Sequence, residues 1–476
     1  MNLNQTLQEK YPHLEVSVLK LSEVKKNIDF RIDDSFWTMK LIYNNKLNYK
    51  KIGECLLKSQ YGISINMNEG GDGIPIYRMN DIDNMLCNFE VKKYALIDKN
   101  ELQTFRLNYG DVLFNRTNSY EFVGRTGIFY NNRENFVFAS YLVRLVCNKE
   151  ILLPEYLTVF LNTHIGKKEI RRRARPSINQ TNVNPEELKE IKIPIFPMEF
   201  QLEIQNLVKD SHKALEESKE LYKKAEETLY LELGLDPKNP LQSLLDSKTN
   251  IPTNSLNISI RTLKESFLKT GRLDSEYYQS KYEDIEKFIK SYPNGYDSFS
   301  NIINNKDTNF TPKNNENYSY IELANIGNNG NISEPISDLG KNLPTRARRI
   351  VSKGDVIISS IEGSLSSCAL ITQEFDKHLV STGFFVLNSK LLNGETLLVM
   401  FKSQIFQEYL KKFPSGTILC AINKEELSKI LIPKIDSTTQ EKIAKYIQES
   451  FNLRKKSKQL LDNAKNKVEE QIQGKT

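Results

Sequence analysis

Tryptophan, histidine and cysteine are scarce in this 476-residue chain, at one, four and five residues. The cysteines (Cys55, Cys87, Cys147, Cys368, Cys420) are odd in number, scattered and without a CxxC pair. That spacing excludes a disulfide framework or a zinc cage and predicts reduced, buried thiols. The histidines (His13, His164, His212, His378) never recur at the i, i+4 spacing that would put two ligands on one helix face. No apolar run approaches the roughly 20 residues of a membrane span; Val351 to Ile361, among the longest, is broken by charge and glycine. Met1 to Lys10 is polar and lacks the apolar core of a secretory signal, so a cytoplasmic location is expected. Neither sign of charge dominates: 66 Lys and Arg against 60 Asp and Glu leave +6, which permits nucleic acid without showing it. What is present is ordinary globular material, 39% hydrophobic and 26% charged, which excludes wholesale disorder. At about 150 residues per domain the length predicts two or three domains.

The chain repeats itself. Asn184-Pro-Glu-Glu-Leu-Lys-Glu-Ile-Lys-Ile-Pro194 recurs as Asn423-Lys-Glu-Glu-Leu-Ser-Lys-Ile-Leu-Ile-Pro433, and the same spacing of 239 residues matches Gln201 to Gln440, Ile204 to Ile443, Ser211 to Ser450, Ser218 to Ser457 and Ala225 to Ala464. Upstream, Gly110-Asp-Val-Leu-Phe114 answers to Gly354-Asp-Val-Ile-Ile358, and Arg31-Ile-Asp33 to Arg272-Leu-Asp274, each of the latter followed by two aromatics. A tandem duplication of a unit of about 240 residues fits these matches, and such a repeat fixes architecture more firmly than composition does.

Each unit begins with β-rich runs bounded by turn residues, such as Gly127-Ile-Phe-Tyr130 and Tyr141 to Val146, and ends in a long helical pattern. Apolar and small residues there step by four and three: Ile204, Val208, Ser211, Leu215, Ser218, Tyr222, Ala225, Leu229, matched by Ile443, Ile447, Ser450, Arg454, Ser457, Leu461, Ala464, Val468. This is a heptad seam whose small residues let two helix backbones approach closely. One such helix alone would suggest a dimerising coiled coil; two matched ones in a single chain predict an antiparallel intramolecular pair. The fold expected is α/β (α+β), two β-rich domains related by a pseudo-twofold axis and joined by two antiparallel coiled-coil helices. The boundaries are residues 1–193, a helix over 194–235 ending at Gly234, a linker over 236–258, a second domain over 259–432 and a helix over 433–476. Pro194 and Pro197 precede the first helix, and Ser437 or Thr438 ahead of Gln440 and Glu441 is the expected cap of the second. About 35 helical residues span roughly 50 Å, more than the 34 Å of one DNA turn.

Two variable β-rich units, each with a Gly-Asp-Val turn and each closing in Asn-x-Glu-Glu-Leu-x-x-Ile-x-Ile-Pro, then Gln and a long helix, resemble the specificity subunit of a type I restriction-modification system. The Arg-x-Asp and aromatic pair, as in Arg272-Leu-Asp-Ser-Glu-Tyr-Tyr278, fits the same family, and the likeness runs from about Val16 to Ile472. It implies two target recognition domains, each reading half of a bipartite site in double-stranded DNA. It also implies helices that dock two methyltransferase subunits and, in the full complex, restriction and translocase subunits. S-adenosylmethionine, ATP and Mg would belong to those partners, none to this chain; the modified base would be adenine, and the setting phage defence. A related system that joins methyltransferase and nuclease in one polypeptide, and a coiled-coil protein-interaction scaffold, are the alternatives. No Asn/Asp-Pro-Pro-Tyr/Phe tetrapeptide, GxGxxG loop or GxxxxGK[ST] loop is present. Glu187-Leu-Lys189 and Glu190-Ile-Lys192 lack the preceding Pro-Asp of a nuclease and read as a charged helix face.

DNA affinity comes mainly from Lys and Arg on phosphates, sequence from side chains that pair with base edges. The candidates in the first unit are Lys58, Gln60 and Arg78, the loop residues Asn115, Arg116 and Asn118 with Arg125, and the run Arg171, Arg172, Arg173 before Arg175. In the second unit they are Lys306 and Lys313, Arg346, Arg348 and Arg349, and Ser360 and Ser364 in the loop answering to Asn115 to Tyr120. If Arg171 to Arg173 all contact phosphates, replacing the three flattens the salt dependence by up to roughly three units of slope. The two loops differ while their flanks agree, which predicts an asymmetric target.

Overall fold

The computed structural model describes residues 3–474 except 15, 17, 40, 132–134, 247–259, 328 and 417. The chain divides into two compact units, residues 1–215 with 455–476, and residues 216–454.

In the first unit, strands β1 (Leu56–Tyr61), β2 (Val112–Asn115), β3 (Thr126–Ile128) and β4 (Leu142–Cys147) form an antiparallel core in the order β1-β4-β2-β3, extended past β3 by Leu86–Cys87 and Ile82–Asp83. Helices α1 (Pro154–Asn162) and α2 (His164–Arg173) follow, then a short helix Pro185–Lys189 capped by the Asn184 side chain, and strand Lys192–Pro194, which pairs with Tyr49–Lys51. α3 (Met198–Glu232) closes the repeat. Val112, Phe114, Val143 and Leu145 are wholly buried in one cluster with α1 and with Ile204 and Val208 of α3. Alternation along β2 and β4 sends Leu113 and Leu142 to the opposite face, against Phe129, Phe136 and Phe138.

The second unit repeats this plan. Strands β5 (Ile303–Asn305), β6 (Val356–Ser359), β7 (Cys368–Leu370) and β8 (Phe384–Ser389) take the order β5-β8-β6-β7. Helices α4 (Gly394–Lys402) and α5 (Gln404–Leu410) follow, then Lys424–Lys429 capped by Asn423, strand Leu431–Pro433 paired with Tyr296–Ser298, and α6 (Ser437–Gln473).

The seam residues are buried as the spacing predicts, except that Leu215 and Arg454 are half-buried. Within the first unit, Ser211 Oγ meets Ser457 Oγ at 2.8 Å while Glu203 pairs with Lys467 at 2.7 Å; within the second, Ser218 Oγ meets Ser450 Oγ at 2.9 Å while Thr439 bonds Glu232 at 2.7 Å. Numbers that rise on one helix as they fall on the other define antiparallel pairing in each unit. Serine at the closest approach, fully buried, exchanges a hydroxyl bond across the seam where a larger side chain would force the helices apart. Arg454 is the exception: it takes a seam level that Leu215 fills in the other copy, and its Nε donates to Ser218 Oγ at 2.9 Å.

Three local expectations change. The cap of α6 is Asp436, whose carboxylate accepts from the N–H of Thr438 and Thr439 at 2.8 and 3.3 Å, rather than Ser437 or Thr438. Gln440 is instead a strut: Oε1 accepts from Asn393 N–H while Nε2 donates to the carbonyls of Leu391 and Ile435, just as Gln201 accepts from Leu153 N–H and donates to the carbonyls of Ile151 and Phe196. The expected linker over 236–258 contains a helix, Pro240–Asp246, because proline is pre-set for a first helical position and Leu244 is buried; the rest of it, from 247, lies outside the described residues. α3 ends at Glu232, and Gly234 (φ 75°) is the left-handed residue that stops it, with Leu235 N–H returning to the Tyr230 carbonyl. The cysteines are free, four buried and Cys420 partly exposed, contrary to the expectation of five buried thiols; Cys420 stands in a surface hairpin.

Candidate nucleic-acid interface

The Gly-Asp turn organises each sheet. In Asn108-Tyr109-Gly110-Asp111 the Asp111 N–H returns to the Asn108 carbonyl at 2.9 Å, and in Ser352-Lys353-Gly354-Asp355 the Asp355 N–H returns to the Ser352 carbonyl at 2.9 Å. The third position of each turn needs φ near +90°, which glycine adopts without strain. Each aspartate then binds the first N–H of its turn and takes a cation: the buried Arg144 at 3.4 Å for Asp111, the partly exposed Lys306 at 2.8 Å for Asp355. Gln60 braces Arg144 through its Oε1 and donates to the Thr104 carbonyl. The polar atoms of Gln60 and Lys306 thus brace the turn.

Beyond the turn, β2 and β6 lead into the loops expected to read DNA, and in each unit a hairpin is stitched to that loop. In the first, strands Arg175–Pro176 and Thr181–Asn182 pair, Thr181–Asn182 pairs in turn with Thr117–Asn118, and Thr117 Oγ1 donates to Asn182 at 2.6 Å. In the second, Ser415 and Ala421 exchange backbone bonds, Ala421 bridges Ile361, and Ile422 N–H donates to the Ser360 carbonyl at 2.8 Å.

The root of each hairpin is gripped by the Arg-x-Asp motif. Arg31, 5% exposed, donates to the carbonyls of Arg173 and Ala174 at 2.9 and 3.4 Å, to Glu187 at 3.0 Å, and through Nε and Nη2 to both oxygens of Asp33 at 2.7 Å. Arg272 repeats the set on the carbonyls of Phe413 and Pro414 at 3.1 and 2.6 Å, on Asp274, and on Glu426 at 3.8 Å. The aromatic pair completes each clamp: the guanidinium lies over Phe36 or Tyr277 at 4.7 and 4.6 Å, and the Trp37 indole N–H or Tyr278 hydroxyl donates to the arginine's own carbonyl. Two carboxylates and two carbonyls satisfy the buried guanidinium, which otherwise could not leave water. The Glu of Asn-x-Glu-Glu-Leu is thus the counter-ion of a residue more than 150 positions earlier.

The basic run separates by depth. Arg171 is exposed, its guanidinium 5.7 Å from the Tyr120 ring. Arg172 lies over Phe36 at 4.3 Å with Nε on the Phe36 carbonyl at 2.7 Å, and Arg173 is buried on Glu169 and the Glu190 carbonyl. The latter two hold the clamp region together, and Arg175 pairs with Asp29 and Glu187. In the loop, Asn115 is fully buried, its side chain bonded to the Phe122 carbonyl and the Thr117 N–H, so it shapes the loop instead of facing a base. Asn118 accepts from Ser119 N–H. Arg116 stacks 5.0 Å from the Tyr61 ring with Nε on the Ser140 carbonyl, and Arg125 stacks 4.1 Å from Phe122. Neither meets a carboxylate among the described residues, and Lys58, exposed on β1, does not either. Arg78 pairs loosely with Asp81 at 3.6 Å.

In the second unit Arg346 is exposed and unpaired among the described residues, Lys313 pairs with Glu316 at the surface, and Arg348 bonds Thr311 and the Thr345 carbonyl. Arg349 is half-buried on the Phe384 carbonyl, and burial pulls its guanidinium below the usual arginine range. Ser360 and Ser364 are turned inward, onto the Gly383 carbonyl and Ser359.

Two cations escaped sequence reasoning. Lys167 and Lys465 line a cleft of about 270 Å³ in the first unit with Arg125, Arg171, Asp83 and Glu121. Desolvation on the cleft wall and then the charges of Lys465, Arg171 and Arg125 push the Lys167 ammonium down, while Glu469 opposes this. A signal for Lys465 existed only in the fold, since in sequence it is one more lysine on a solvated helix, beside Asp462.

Residues 64–227 match the family model of the type I restriction modification DNA specificity domain. Over that segment the chain is similar to the specificity subunits of type I restriction-modification systems. The MjaX specificity subunit, assigned to a type I restriction enzyme of Methanocaldococcus jannaschii, is 23% identical over 412 residues, 86% of this chain and 88% of that protein. The specificity subunit of the EcoKI type I restriction enzyme of Escherichia coli is 27% identical over 161 residues, 33% of this chain and 34% of that protein. The crystal structure of the S subunit of a type I restriction-modification system from M. genitalium shares 16% identity, covering 90% of this chain and 96% of that one, at a TM-score of 0.41. The matched segment of this chain contains the loop after the first Gly-Asp turn, its hairpin and Arg171. The corresponding parts of the second unit are placed by the internal repeat.

Among the described residues no helix is long and apolar enough to cross a membrane, and no group of three or more His, Cys, Asp or Glu residues could hold a metal ion.

Proposed function

We propose that this chain reads an asymmetric, two-part sequence in double-stranded DNA, one half-site per unit, and so directs adenine methylation and restriction by partner subunits in the cytoplasm. Two methyltransferase subunits and, in the full complex, restriction and translocase subunits carry the catalysis, with S-adenosylmethionine, ATP and Mg bound by them. The observation that carries this reading is a frame kept twice around loops that differ: clamp, Gly-Asp turn, sheet order and hairpin recur, while Asn115-Arg-Thr-Asn-Ser-Tyr120 stands opposite Ser359-Ser-Ile-Glu-Gly-Ser364. A frame that repeats and a surface that does not are what two different half-sites require.

The test is duplex binding by the chain with its methyltransferase subunits across a salt series. Arg171→Ala and Arg346→Ala each weaken binding to every sequence and lower the salt slope by about one. Arg116→Ala relaxes one half-site alone, at about 1–3 kcal/mol per lost base contact. Arg173→Ala lowers stability and leaves the slope unchanged, so the triple change at 171–173 moves the slope by about one, not three. Equal loss at both half-sites from Arg116→Ala, or duplex binding insensitive to salt, overturns the assignment.

A further inference from the structure

The two hairpins carry an apolar residue where neither fold nor solubility asks for one. Ile178 and Ile418, at the same place in the repeat, are each 98% exposed. Their flanks have diverged, Asn179 and Gln180 in one unit against Leu419 and Cys420 in the other, yet the isoleucine stands in both. Each sits at the tip of a short ribbon that is held hard. The root is fixed by the arginine clamp on residues 173 and 174, or 413 and 414; one side is bonded to the reading loop; and in the first unit Ser177 N–H closes the tip on the Gln180 carbonyl at 2.7 Å. An exposed isoleucine gains nothing in the free protein, where burial of its side chain is what would stabilise it. A single branched side chain on a stiff ribbon is too small for a protein-docking patch. It does fit a DNA groove, which admits a two-stranded ribbon, and an apolar wedge there enters a base step or packs on a thymine methyl.

Resting on the DNA-reading proposal above, we infer that Ile178 and Ile418 are equivalent apolar probes that enter duplex DNA, one in each half-site, and that the arginine clamps exist to hold them there. In the first unit the exposed amides of Asn179 and Gln180 flank the probe and supply polar contacts to base edges; in the second, Leu419, 62% exposed, widens the apolar tip.

The experiment uses the chain assembled with its methyltransferase subunits and a duplex carrying the methylated motif, with 2-aminopurine placed in turn along each half-site. Ile178→Ser and Ile418→Ser alter fully exposed positions and so leave folding and assembly intact, checked by melting and co-elution. Each variant loses about tenfold in affinity, the size of one spoiled base pair, and the 2-aminopurine response disappears in one half-site for Ile178→Ser and in the other for Ile418→Ser. Unchanged affinity and unchanged signals in both variants overturn the inference while leaving DNA reading in place. Loss of methyltransferase co-elution with DNA contacts intact overturns it in favour of a protein contact. A wild-type complex that binds no duplex overturns the parent reading as well.

Discussion

Replacing Arg31 with alanine destabilises the first unit by about 3–5 kcal/mol, because it leaves Glu187, whose side chain is 2% exposed, without its main counter-ion. Asp33 and two main-chain carbonyls lose their donor as well. For a unit of this size that is a fall of about 10 °C in melting midpoint. The readout is built in: Trp37 is the chain's single tryptophan, and its indole donates to the Arg31 carbonyl at 2.7 Å, so its fluorescence reports the clamp directly. The double variant Arg31→Ala, Glu187→Ala is more stable than the sum of the two single losses predicts, by about 0.5–3 kcal/mol, since no orphaned charge remains. A Trp37 transition at the wild-type midpoint in Arg31→Ala shows that the clamp does not hold the unit together.

The second large effect is a gain. Glu226, on α3 within the second unit, makes no hydrogen bond or ion pair among the described residues, and burial pushes its carboxyl up to about 7, with Lys402 opposing and Glu227 adding to the shift. A carboxylate with a raised folded pKa costs stability as pH rises from its ordinary value near 4.5 to about 7, because the unfolded chain releases its proton first. Above pH 7 the whole cost is present, at most about 3 kcal/mol at 1.36 kcal/mol per unit. Glu226→Gln is therefore more stable than wild type at pH 8, and the advantage vanishes towards pH 4.5. Lys402, whose ammonium is already pushed down by burial, loses a carboxylate that favours its charge and takes part of the gain back. Urea titrations of the two proteins at pH 5 and pH 8 measure the difference; a gap that does not change with pH places the shift elsewhere.

The parts that were readable in the sequence are those set by periodicity and repetition. The seam from Ile204 to Leu229 and its partner emerged because burial of one helix face imposes a spacing that the unaided eye can follow. The Gly-Asp turns emerged because φ near +90° restricts residue choice so sharply. Long-range pairing left no such trace. Arg171 and Arg173 are two letters apart and chemically identical, yet one faces water and the other Glu169, which only the position of α2 decides. Asn115 looked like a reader of bases because its amide can pair with adenine, and the fold spends that amide on its own loop. Asp436 caps α6 because the chain turns one residue earlier than the Ser-Thr pair suggested. Arg-x-Asp was visible as a motif, but its role as the root of a hairpin needed the carbonyls of residues 142 positions away.

The central claim, that this chain chooses an asymmetric bipartite DNA sequence for modification, is tested most directly by mapping methylated adenines across the source genome with and without this reading frame. The account predicts that one gapped motif with two unlike halves, bearing one modified adenine on each strand, is present with the frame and gone without it, and that nothing else changes. A map identical in both strains, with the methyltransferase subunits expressed, contradicts it.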